Sequence, residues 1–340
     1  MIKECIARLV ENQDLNCAET ETVFREIMSG EATAAQIASF ITALRCKGET
    51  VAEITGAVTV MRAFATRVSV DQPIILDTCG TGGDRMHSCN VSTLAALISA
   101  SAGVIVAKHG NRGVSSTCGS ADLLEKLGVK IDADVPTLER CLRDVGIAFL
   151  FAPQLHPAMK HAAGPRREMG IRTIFNILGP LSNPAGATHQ VLGVFSPHLA
   201  PLLAEVLQRL GSRHVLVVHA ENGMDEISLA APTRVVELRD AAIREYTVRP
   251  EEFGFRPAPV EAVRVRDLEQ AVAVARDVVR GAPGACTDLV VLNAGAALYA
   301  ADHAGSIAEG ISQARECLAS GRTRILLERL IQVSHGLAAA

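Results

Sequence analysis

Residues 74–93 read IILDTCGTGGDRMHSCNVST, and this stretch decides the fold class. A short apolar strand at 74–76 runs into a turn with three glycines that ends at Asp84, and the segment 90–93 then begins a helix. In α/β proteins this succession of strand, glycine-rich turn and helix start presents backbone N–H groups to a phosphate. The stretch therefore predicts an α/β domain with an anion-binding turn.

A second loop of the same kind follows the next apolar strand, at 104–106. It reads KHGNRGVSS and offers a lysine charge, two glycines that let the main chain approach oxygen atoms, and two hydroxyl groups. Its candidate contacts are Lys108, Gly110, Gly113, Ser115 and Ser116. Two such loops on neighbouring strands predict one ligand that carries several phosphates. Neither loop matches the P-loop or the dinucleotide-binding pattern, so those two classes are not supported.

The composition bounds the class of protein. With 340 residues, of which 49% are hydrophobic, the chain can bury a large core and predicts two domains. Its 33 basic and 37 acidic side chains disfavour general binding to nucleic acid or an anionic membrane. No apolar run approaches the ~20 residues of a membrane helix. Nine cysteines without a C-x-x-C pair argue for a reducing compartment, so we expect a soluble cytoplasmic protein.

The first part of the chain shows helical patterns only. Thr33 and Thr50 stand where helix N-caps belong, and Gly30 and Gly48 stand where helices end. We therefore expect a helical domain over residues 1–70. So few amphipathic helices cannot bury their apolar faces alone, so this domain must pack on the rest of the chain or on a second copy. We expect it to form a homodimer surface.

From residue 71 onward short apolar strands alternate with helices. The strands are expected at 74–77, 103–107, 147–151, 190–195, 214–219 and 234–238. Several are apolar at every position, as expected when helices cover both faces of a parallel sheet. The pattern predicts an α/β domain at 71–340 with a mainly parallel central sheet. A crossing segment around 165–185 should pack on the helical domain, and the last seventy residues should be helical.

Two carboxylates, Asp225 and Glu226, follow a strand that ends at His219 and a turn at 222–223. A solvated acidic turn is the simpler interpretation. Beside a multiply anionic ligand, however, these two charges would repel unless a cation lay between them. Mg²⁺ fits that place, because it takes a few carboxylates together with water and phosphate oxygens.

Arginines and histidines in the 156–172 region have two interpretations each. Arg166 and Arg172 stand near an expected helix start, where a positive charge opposes the helix dipole and usually lies at the surface. A guanidinium in a cleft would instead bind a substrate carboxylate through two hydrogen bonds. His156 and His161 are five residues apart, which does not suit a zinc pair, so His156 is a packing or substrate-pocket residue.

Six motifs in fixed order make the chain similar to a known family. They are GTGGD, NVST, KHGNR, HPAMK, GIRTIFNILGPLSNPAG and MDE, and they resemble the anthranilate phosphoribosyltransferases of tryptophan biosynthesis. The resemblance implies the fold of the nucleoside phosphorylase class III type: a small helical domain, a larger α/β domain, and an active site in the cleft. It also implies a homodimer through the helical domains. The implied reaction transfers the phosphoribosyl group of 5-phosphoribosyl 1-pyrophosphate to the amine of anthranilate.

The resemblance also implies roles for individual residues. The phosphoribosyl donor would contact Gly80, Gly83, Asp84, Ser88, Asn90, Val91, Ser92, Thr93, Lys108, His109, Gly110, Asn111, Arg112, Gly113, Val114, Ser115, Ser116 and Ser120. Anthranilate would contact Gly80, Asn111 and Arg166, and Mg²⁺, as two ions, would be held by Ser92, Asp225 and Glu226. No general base is implied, because an aromatic amine is neutral at pH 7 and already carries a lone pair.

One departure and two rival functions complete the sequence-based expectations. Arg85 stands where the family usually has glycine, and we expect it to add a charge contact to the pyrophosphate. A pyrimidine nucleoside phosphorylase would share the architecture, but its K-H-S-T-G-G-type loop is absent. A non-catalytic, nucleic-acid-binding relative would lack the acidic pair and have a basic cleft. Here Asp225 and Glu226 are present and the net charge is −4.

Overall fold

The computed structural model describes residues 1–84, 86–113 and 118–338, and its first four helices form a bundle. They are α1 (Ile2–Val10), α2 (Cys17–Ser29), α3 (Ala34–Lys47) and α4 (Val51–Ala63). The side chains of Asn16, Thr33 and Thr50 each accept a hydrogen bond from a backbone N–H of the first turn, and a Glu or Gln side chain reciprocates. Gly30 ends α2 at φ 82°. The caps expected at Thr33, Thr50 and Gly30 are confirmed.

A seven-stranded sheet forms the centre of the remaining chain. Its strands are β1 (Leu76–Gly80), β2 (Val106–Gly110), β3 (Ile147–Phe151), β4 (His189–Gly193), β5 (His214–Ala220), β6 (Thr233–Arg239) and β7 (Ala242–Val248). The order is β3-β2-β1-β4-β5-β6-β7. Strands β1 to β5 are parallel to one another, β6 is antiparallel to β5, and β7 is antiparallel to β6. The expected fold class, an α/β domain with a mainly parallel sheet, is confirmed. The sequence did not predict β7.

Helices cover both faces of this sheet. They are α5 (Val91–Ser101), α6 (Ser120–Lys126), α7 (Val135–Asp144), α8 (Ala152–Leu155), α9 (Lys160–Met169), α10 (Phe175–Leu181), α11 (Leu199–Arg209), α12 (Leu268–Val279), α13 (Ala285–Ala300), α14 (Ile307–Ala319) and α15 (Arg322–Ser334). One apolar core joins a sheet face to α5 and α13, and the other joins the opposite face to α11 and the N-terminal bundle. The helical end of the chain is confirmed by α12 to α15.

Helices α9 and α10 pack against the N-terminal bundle, where the ring of Phe175 lies 5.6 Å from that of Phe24. The expectation that Arg166 stands near a helix start was wrong, because α9 begins at Lys160 and Arg166 lies in its last turn. Proline commonly marks a helix start, but α9 continues through Pro165. A positive charge in the last turn stabilises the helix dipole instead of opposing it.

The order of the strands places a crevice beside β1. From β1 the chain adds β2 and β3 on one side, and it later returns to add β4 and β5 on the other. The connections after β1 and β4 therefore diverge, and in open α/β sheets ligands bind at such a switch point, outside the carboxyl ends of the strands. No helix within the described ranges is long and apolar enough to span a bilayer.

Candidate active site

The turn after β1 is attached to the neighbouring strand β4. The Thr81 N–H donates to the Gly193 carbonyl at 2.9 Å, and the Thr81 hydroxyl accepts from the Phe195 N–H at 3.1 Å. Gly82 and Gly83 have φ values of 66° and 81°, a region that favours glycine. The sequence-predicted anion-binding turn thus lies at the switch point of the sheet.

The start of α5 faces the same crevice and is open to a ligand. Its N-cap, Asn90, makes no capping hydrogen bond with its side chain, and its Nδ2 donates to the Cys118 carbonyl at 3.2 Å. The Asn90 Oδ1 is buried and has no hydrogen-bond partner among the described residues. The backbone N–H of Ser92 in this first turn interacts with the Glu226 carboxylate, so the helix start already attracts negative charge.

Lys108, the lysine of β2, is directed into the protein. Only 2% of its surface is exposed, and its Nζ donates to the Thr78 carbonyl at 2.6 Å and to the Ser92 hydroxyl at 3.2 Å. Burial lowers the pKa of Lys108, while the nearby carboxylate of Asp77 opposes that shift. The lysine therefore places its ammonium group beneath the turn, between β1 and the first turn of α5.

Asp77 connects three parts of the chain at this position. Its Oδ1 accepts from the His109 N–H at 3.2 Å, and its Oδ2 accepts from the Asn183 Nδ2 at 2.8 Å. Burial raises the pKa of Asp77 to about 6, against the opposing effects of Lys108 and Asn183. These bonds fix the ends of β1 and β2 relative to the segment after α10. Sequence reasoning did not single out Asn183, because nothing local marks it.

Three carboxylates meet on the other side of the turn. Asp225 is buried, its Oδ2 accepts from the Gly82 N–H at 3.0 Å, and burial together with Asp84 raises its pKa to about 7. Burial and the charge of Asp225 raise the pKa of Glu226. The charge of Lys108 and a hydrogen bond from the Ser92 backbone partly oppose this increase. Such raised pKa values mark negative charges that lack compensation.

A divalent cation fits this group of carboxylates. Within the described ranges no set of three or more His, Cys, Asp or Glu side chains forms a ready-made metal cage. Mg²⁺ does not need one, because it commonly binds one or two carboxylates and completes its shell with water and phosphate oxygens. A cation beside Asp225 and Glu226 would offset both the burial of their charges and the repulsion between carboxylates, the two causes that raise their pKa values.

Two glycines make room for Asp225. A Cβ atom on Gly193 would lie 1.6 Å from the Asp225 carbonyl oxygen, and one on Gly80 would lie 2.7 Å from its Oδ2. Glycine at the ends of β4 and β1 is therefore a condition for the acidic turn to approach the sheet. Sequence reasoning identified Gly80 but missed Gly193, which has no glycine-rich motif around it.

Two of the arginines singled out from the sequence lie in different places: Arg172 at the glycine turn, and Arg166 on α9 beside Phe175. Arg172 donates to the Gly82 carbonyl at 3.1 Å and lies 4.2 Å from the centre of the Phe195 ring, so it covers the turn. Arg166 is half-buried over the Phe175 ring at 5.0 Å, and burial lowers its pKa. In the described part of the chain Arg166 makes no ion pair. A half-buried guanidinium of this kind suits a carboxylate ligand.

The second loop is anchored to α6. The Asn111 carbonyl accepts from the Ser120 hydroxyl at 3.2 Å, and the Gly113 N–H donates to Asp122 at 2.9 Å. Arg112 forms ion pairs with Asp122 and Glu125 at the surface, so its charge is directed to α6 in this structure. The remaining residues predicted to bind the donor or pyrophosphate, Arg85, Val114, Ser115 and Ser116, lie outside the described residues.

Two buried histidines, His109 in β2 and His156 after α8, pack against each other with tilted rings. The rings of His109 and His156 are 5.0 Å apart, and the His109 Nδ1 lies 3.1 Å from the Gly179 carbonyl. Burial lowers the pKa of His109 to about 3 and that of His156 to about 4, so both rings are neutral at pH 7. The Nε2 atom of each has no hydrogen-bond partner among the described residues. The pair therefore offers two neutral polar atoms without a cationic charge.

Comparison with known families agrees with this architecture. Residues 3–65 match the helical bundle domain of the glycosyl transferase family, and residues 72–324 match its a/b domain. The class of protein is therefore a glycosyltransferase in which a helical bundle accompanies an α/β domain.

Individual relatives narrow the class further. The anthranilate phosphoribosyltransferase of Thioalkalivibrio sulfidiphilus is 54% identical over 330 residues, which cover 97% of this chain and 98% of the relative. The crystal structure of the Thermus thermophilus enzyme of that name is 44% identical, with a TM-score of 0.93 over 97% of this chain and 99% of that one. The Saccharomyces cerevisiae enzyme in complex with PRPP and Mg is 26% identical, with a TM-score of 0.90 over 99% and 98%. The chain belongs to the anthranilate phosphoribosyltransferase family.

Proposed function

We propose that this protein transfers the phosphoribosyl group of 5-phosphoribosyl 1-pyrophosphate to the amine of anthranilate, releasing pyrophosphate in a step of tryptophan biosynthesis. The observation that carries the proposal is the convergence, at one switch point, of the glycine turn, the start of α5 and the carboxylates of Asp225 and Glu226. These groups suit a ligand with several phosphates and a divalent cation. The family to which the chain belongs supports the same reaction.

We propose for the individual residues the roles that the family resemblance implies. The donor contacts are Gly80, Gly83, Asp84, Ser88, Asn90, Val91, Ser92, Thr93, Lys108, His109, Gly110, Asn111, Arg112, Gly113, Val114, Ser115, Ser116 and Ser120. Asp225 and Glu226, with Ser92, would hold Mg²⁺ as two ions, which when bound would neutralise negative charge on the departing pyrophosphate. Gly80, Asn111 and Arg166 would contact anthranilate. The Saccharomyces cerevisiae relative in complex with PRPP and Mg supports the choice of donor and metal.

Catalysis in this scheme is a matter of position and charge. The amine nitrogen forms a bond to C1 of the ribose while the bond from C1 to the pyrophosphate oxygen breaks, with inversion at C1. The amine needs no strong base. The rings of His109 and His156 are neutral at pH 7 and add no positive charge to the site. The N–H groups of the glycine turn and of α5 stabilise the leaving group, and the crevice holds both reactants in contact.

Replacing Arg166 by Ala is expected to raise the KM for anthranilate by about ten-fold or more, because a charge-assisted hydrogen bond to a carboxylate contributes about 1.5–3 kcal/mol. Steady-state kinetics with each substrate varied in turn would measure this, and the donor KM should change little. Arg167→Ala is the matched control, since Arg167 is the next residue of α9 and is exposed. An unchanged anthranilate KM in Arg166→Ala would contradict the carboxylate role.

Replacing Gly193 by Ala is expected to displace the backbone of Asp225 and to raise the Mg²⁺ concentration needed for half-maximal activity. The added Cβ would meet the Asp225 carbonyl oxygen at 1.6 Å, and main chain cannot yield as a flexible side chain does. Titrating activity with Mg²⁺ at saturating donor would measure the shift. Gly164→Ala in α9 is the control, since its Cβ would meet nothing within 4 Å. Equal Mg²⁺ requirements in the two variants would refute the packing argument.

The proposed reaction has a direct test. Anthranilate fluorescence should fall only when protein, donor and Mg²⁺ are all present. Consumption of thymidine in the presence of phosphate would instead identify a nucleoside phosphorylase. Retention of duplex DNA in a gel at moderate salt, without any anthranilate consumption, would identify the non-catalytic nucleic-acid-binding alternative.

The N-terminal bundle is the proposed dimer surface, and we place the domain boundary near residue 70. A groove between α1 and α3 supports this proposal, because Val10 at its edge is 70% exposed. Its apolar lining is Ile6, Leu9, Val10, Ala38, Ala43 and Cys46. Light scattering should give twice the mass of one chain, and Val10→Asp should shift the protein towards the monomer.

The nine cysteines are all unpaired, which suits the proposed cytoplasmic location.

A further inference from the structure

Two cysteine thiols meet directly beside the proposed donor site. Cys89 immediately precedes the N-cap of α5 and is 1% exposed, whereas Cys286 is the second residue of α13 and is half-buried. The Cys89 N–H donates to the Val263 carbonyl at 2.9 Å, and the Cys286 thiol lies 3.9 Å from the carbonyl of the adjacent Ala262. Because these two carbonyls belong to consecutive residues, the two cysteines are neighbours, and each thiol shifts the pKa of the other. The pair is therefore held by one short segment of main chain.

The two thiols are not equivalent. The interaction between the two thiols lowers the pKa of Cys286 and raises that of Cys89, so Cys286 is the better thiolate. Cys286 also lies in the first turn of a 16-residue helix, where the positive end of the dipole favours a thiolate. Small molecules in solvent reach Cys286 first, because Cys89 is covered. The arrangement has the attacking and resolving thiols of a redox pair.

We propose that Cys286 and Cys89 are a reversible redox site at which a peroxide closes a disulfide and thereby weakens the use of the phosphoribosyl donor. The Cys286 thiolate attacks one oxygen of the peroxide, the O–O bond breaks, and Cys286 becomes a sulfenic acid while the second oxygen leaves as water after gaining a proton. The Cys89 sulfur then attacks the sulfenic sulfur, and a second water leaves. Two thiols are oxidised and one hydrogen peroxide is reduced to two waters.

The expected consequence for the donor follows from the position of Cys89. Ser88, on one side of it, pairs with Arg264, and Asn90, on the other, occupies the N-cap position of α5. A disulfide requires the two sulfurs to approach to about 2.05 Å. We expect closing the bond to pull on the segment that leads into α5, because Cys89 belongs to it. A displacement of about 1 Å in a reacting site can reduce catalysis by about 100-fold.

Peptide mapping after exposure to hydrogen peroxide tests the covalent step. We expect a peptide that links Cys89 to Cys286 and lacks the mass of two hydrogen atoms, and dithiothreitol should restore both thiols. Cys286→Ser should yield no linked peptide. Free cysteine treated in a parallel sample serves as the dose control, because its conversion to cystine proves that the peroxide was effective. Intact thiols at both positions at a dose that oxidises the free cysteine would overturn the proposal.

Kinetics test the consequence, which rests on the proposed function. The oxidised protein should show kcat/KM for the donor lowered by about ten-fold or more. This loss should be reversed by dithiothreitol and absent in peroxide-treated Cys286→Ser. A quantitative disulfide with unchanged donor kinetics would overturn the regulatory role. If the reduced protein has no transferase activity at all, the proposed function fails while the mapping result stands, so the two failures are distinguishable.

Discussion

Replacing Asp225 by Asn is expected to lower kcat by about 100-fold or more at ordinary Mg²⁺ concentrations. The substitution keeps the shape of the side chain and leaves an oxygen to accept from the Gly82 N–H, so the turn should survive. What it removes is one of the charges that would hold the cation beside the departing pyrophosphate. Excess Mg²⁺ should recover part of the activity.

Glu221→Gln is the matched control for this measurement. Glu221 lies at the other side of the same turn, is exposed, and makes its only described contact through its backbone N–H to the Pro232 carbonyl. Its loss should leave kcat unchanged, whereas Glu226→Gln should behave like Asp225→Asn. Wild-type turnover in Asp225→Asn at ordinary Mg²⁺ would refute the metal assignment.

Replacing Glu237 by Gln is expected to cost about 3–5 kcal/mol in the free energy of unfolding, because it leaves buried partners unpaired. The Glu237 carboxylate, on β6, is fully buried and accepts from the Tyr299 hydroxyl at 2.8 Å and from Arg244 at 3.0 Å, and it lies 3.1 Å from the His214 Nε2. The other ring nitrogen of His214 lies 2.8 Å from Asp302. The network joins β5, β6, β7 and the end of α13.

The control for Glu237 lies on the neighbouring strand. Glu245 pairs with Arg234 at 2.6 Å, but this carboxylate is exposed, and exposed ion pairs contribute about 0–1 kcal/mol. Urea titrations of Glu237→Gln and Glu245→Gln should therefore differ by several kcal/mol. Similar losses of unfolding free energy in both variants would show that the buried network stabilises the protein no more than an exposed ion pair does.

The effect of Glu237 should also depend on pH. Burial alone would raise its pKa, but hydrogen bonds from His214, Arg244 and Tyr299 hold the pKa of Glu237 below its ordinary value. A carboxylate with a depressed folded-state pKa contributes stability that is present above the unfolded value, about 4.3, and is lost as the pH falls towards the folded value. The gap between wild type and Glu237→Gln should thus be largest near neutral pH and shrink below about pH 4.3.

The sheet could be predicted from sequence where its strands are buried on both faces. Val215 and its neighbours in β5 form an uninterrupted apolar run, and the expected strand at 214–219 differs from the observed one by a single residue at its end. Strand β7 could not be predicted in the same way. The first four residues of β7 are exposed. Its position is fixed by pairing with β6, which is a property of the assembled sheet.

The site was predictable as a set of motifs and not as an arrangement. The pattern around Lys108 indicates a positive charge near phosphates, but only the fold directs its ammonium group beneath the turn to Thr78 and Ser92. The need for Gly193 arises from the carbonyl of Asp225, which is remote in sequence. Arg166 was expected near the start of a helix but lies in the last turn of α9, because a helix that continues through Pro165 has no local sequence signal.

The hydrogen bond between Gly82 and Asp225 joins residues 143 positions apart in the chain. At about 5–20 residues per second, a ribosome needs roughly 7–30 seconds to lengthen the chain from one to the other. The Gly82 N–H is therefore synthesised long before the carboxylate that accepts from it. A chain cut short before residue 225 would also lack β6 and β7, so its sheet would end at β5 with an unpaired edge, and such fragments should depend on chaperones until they are degraded.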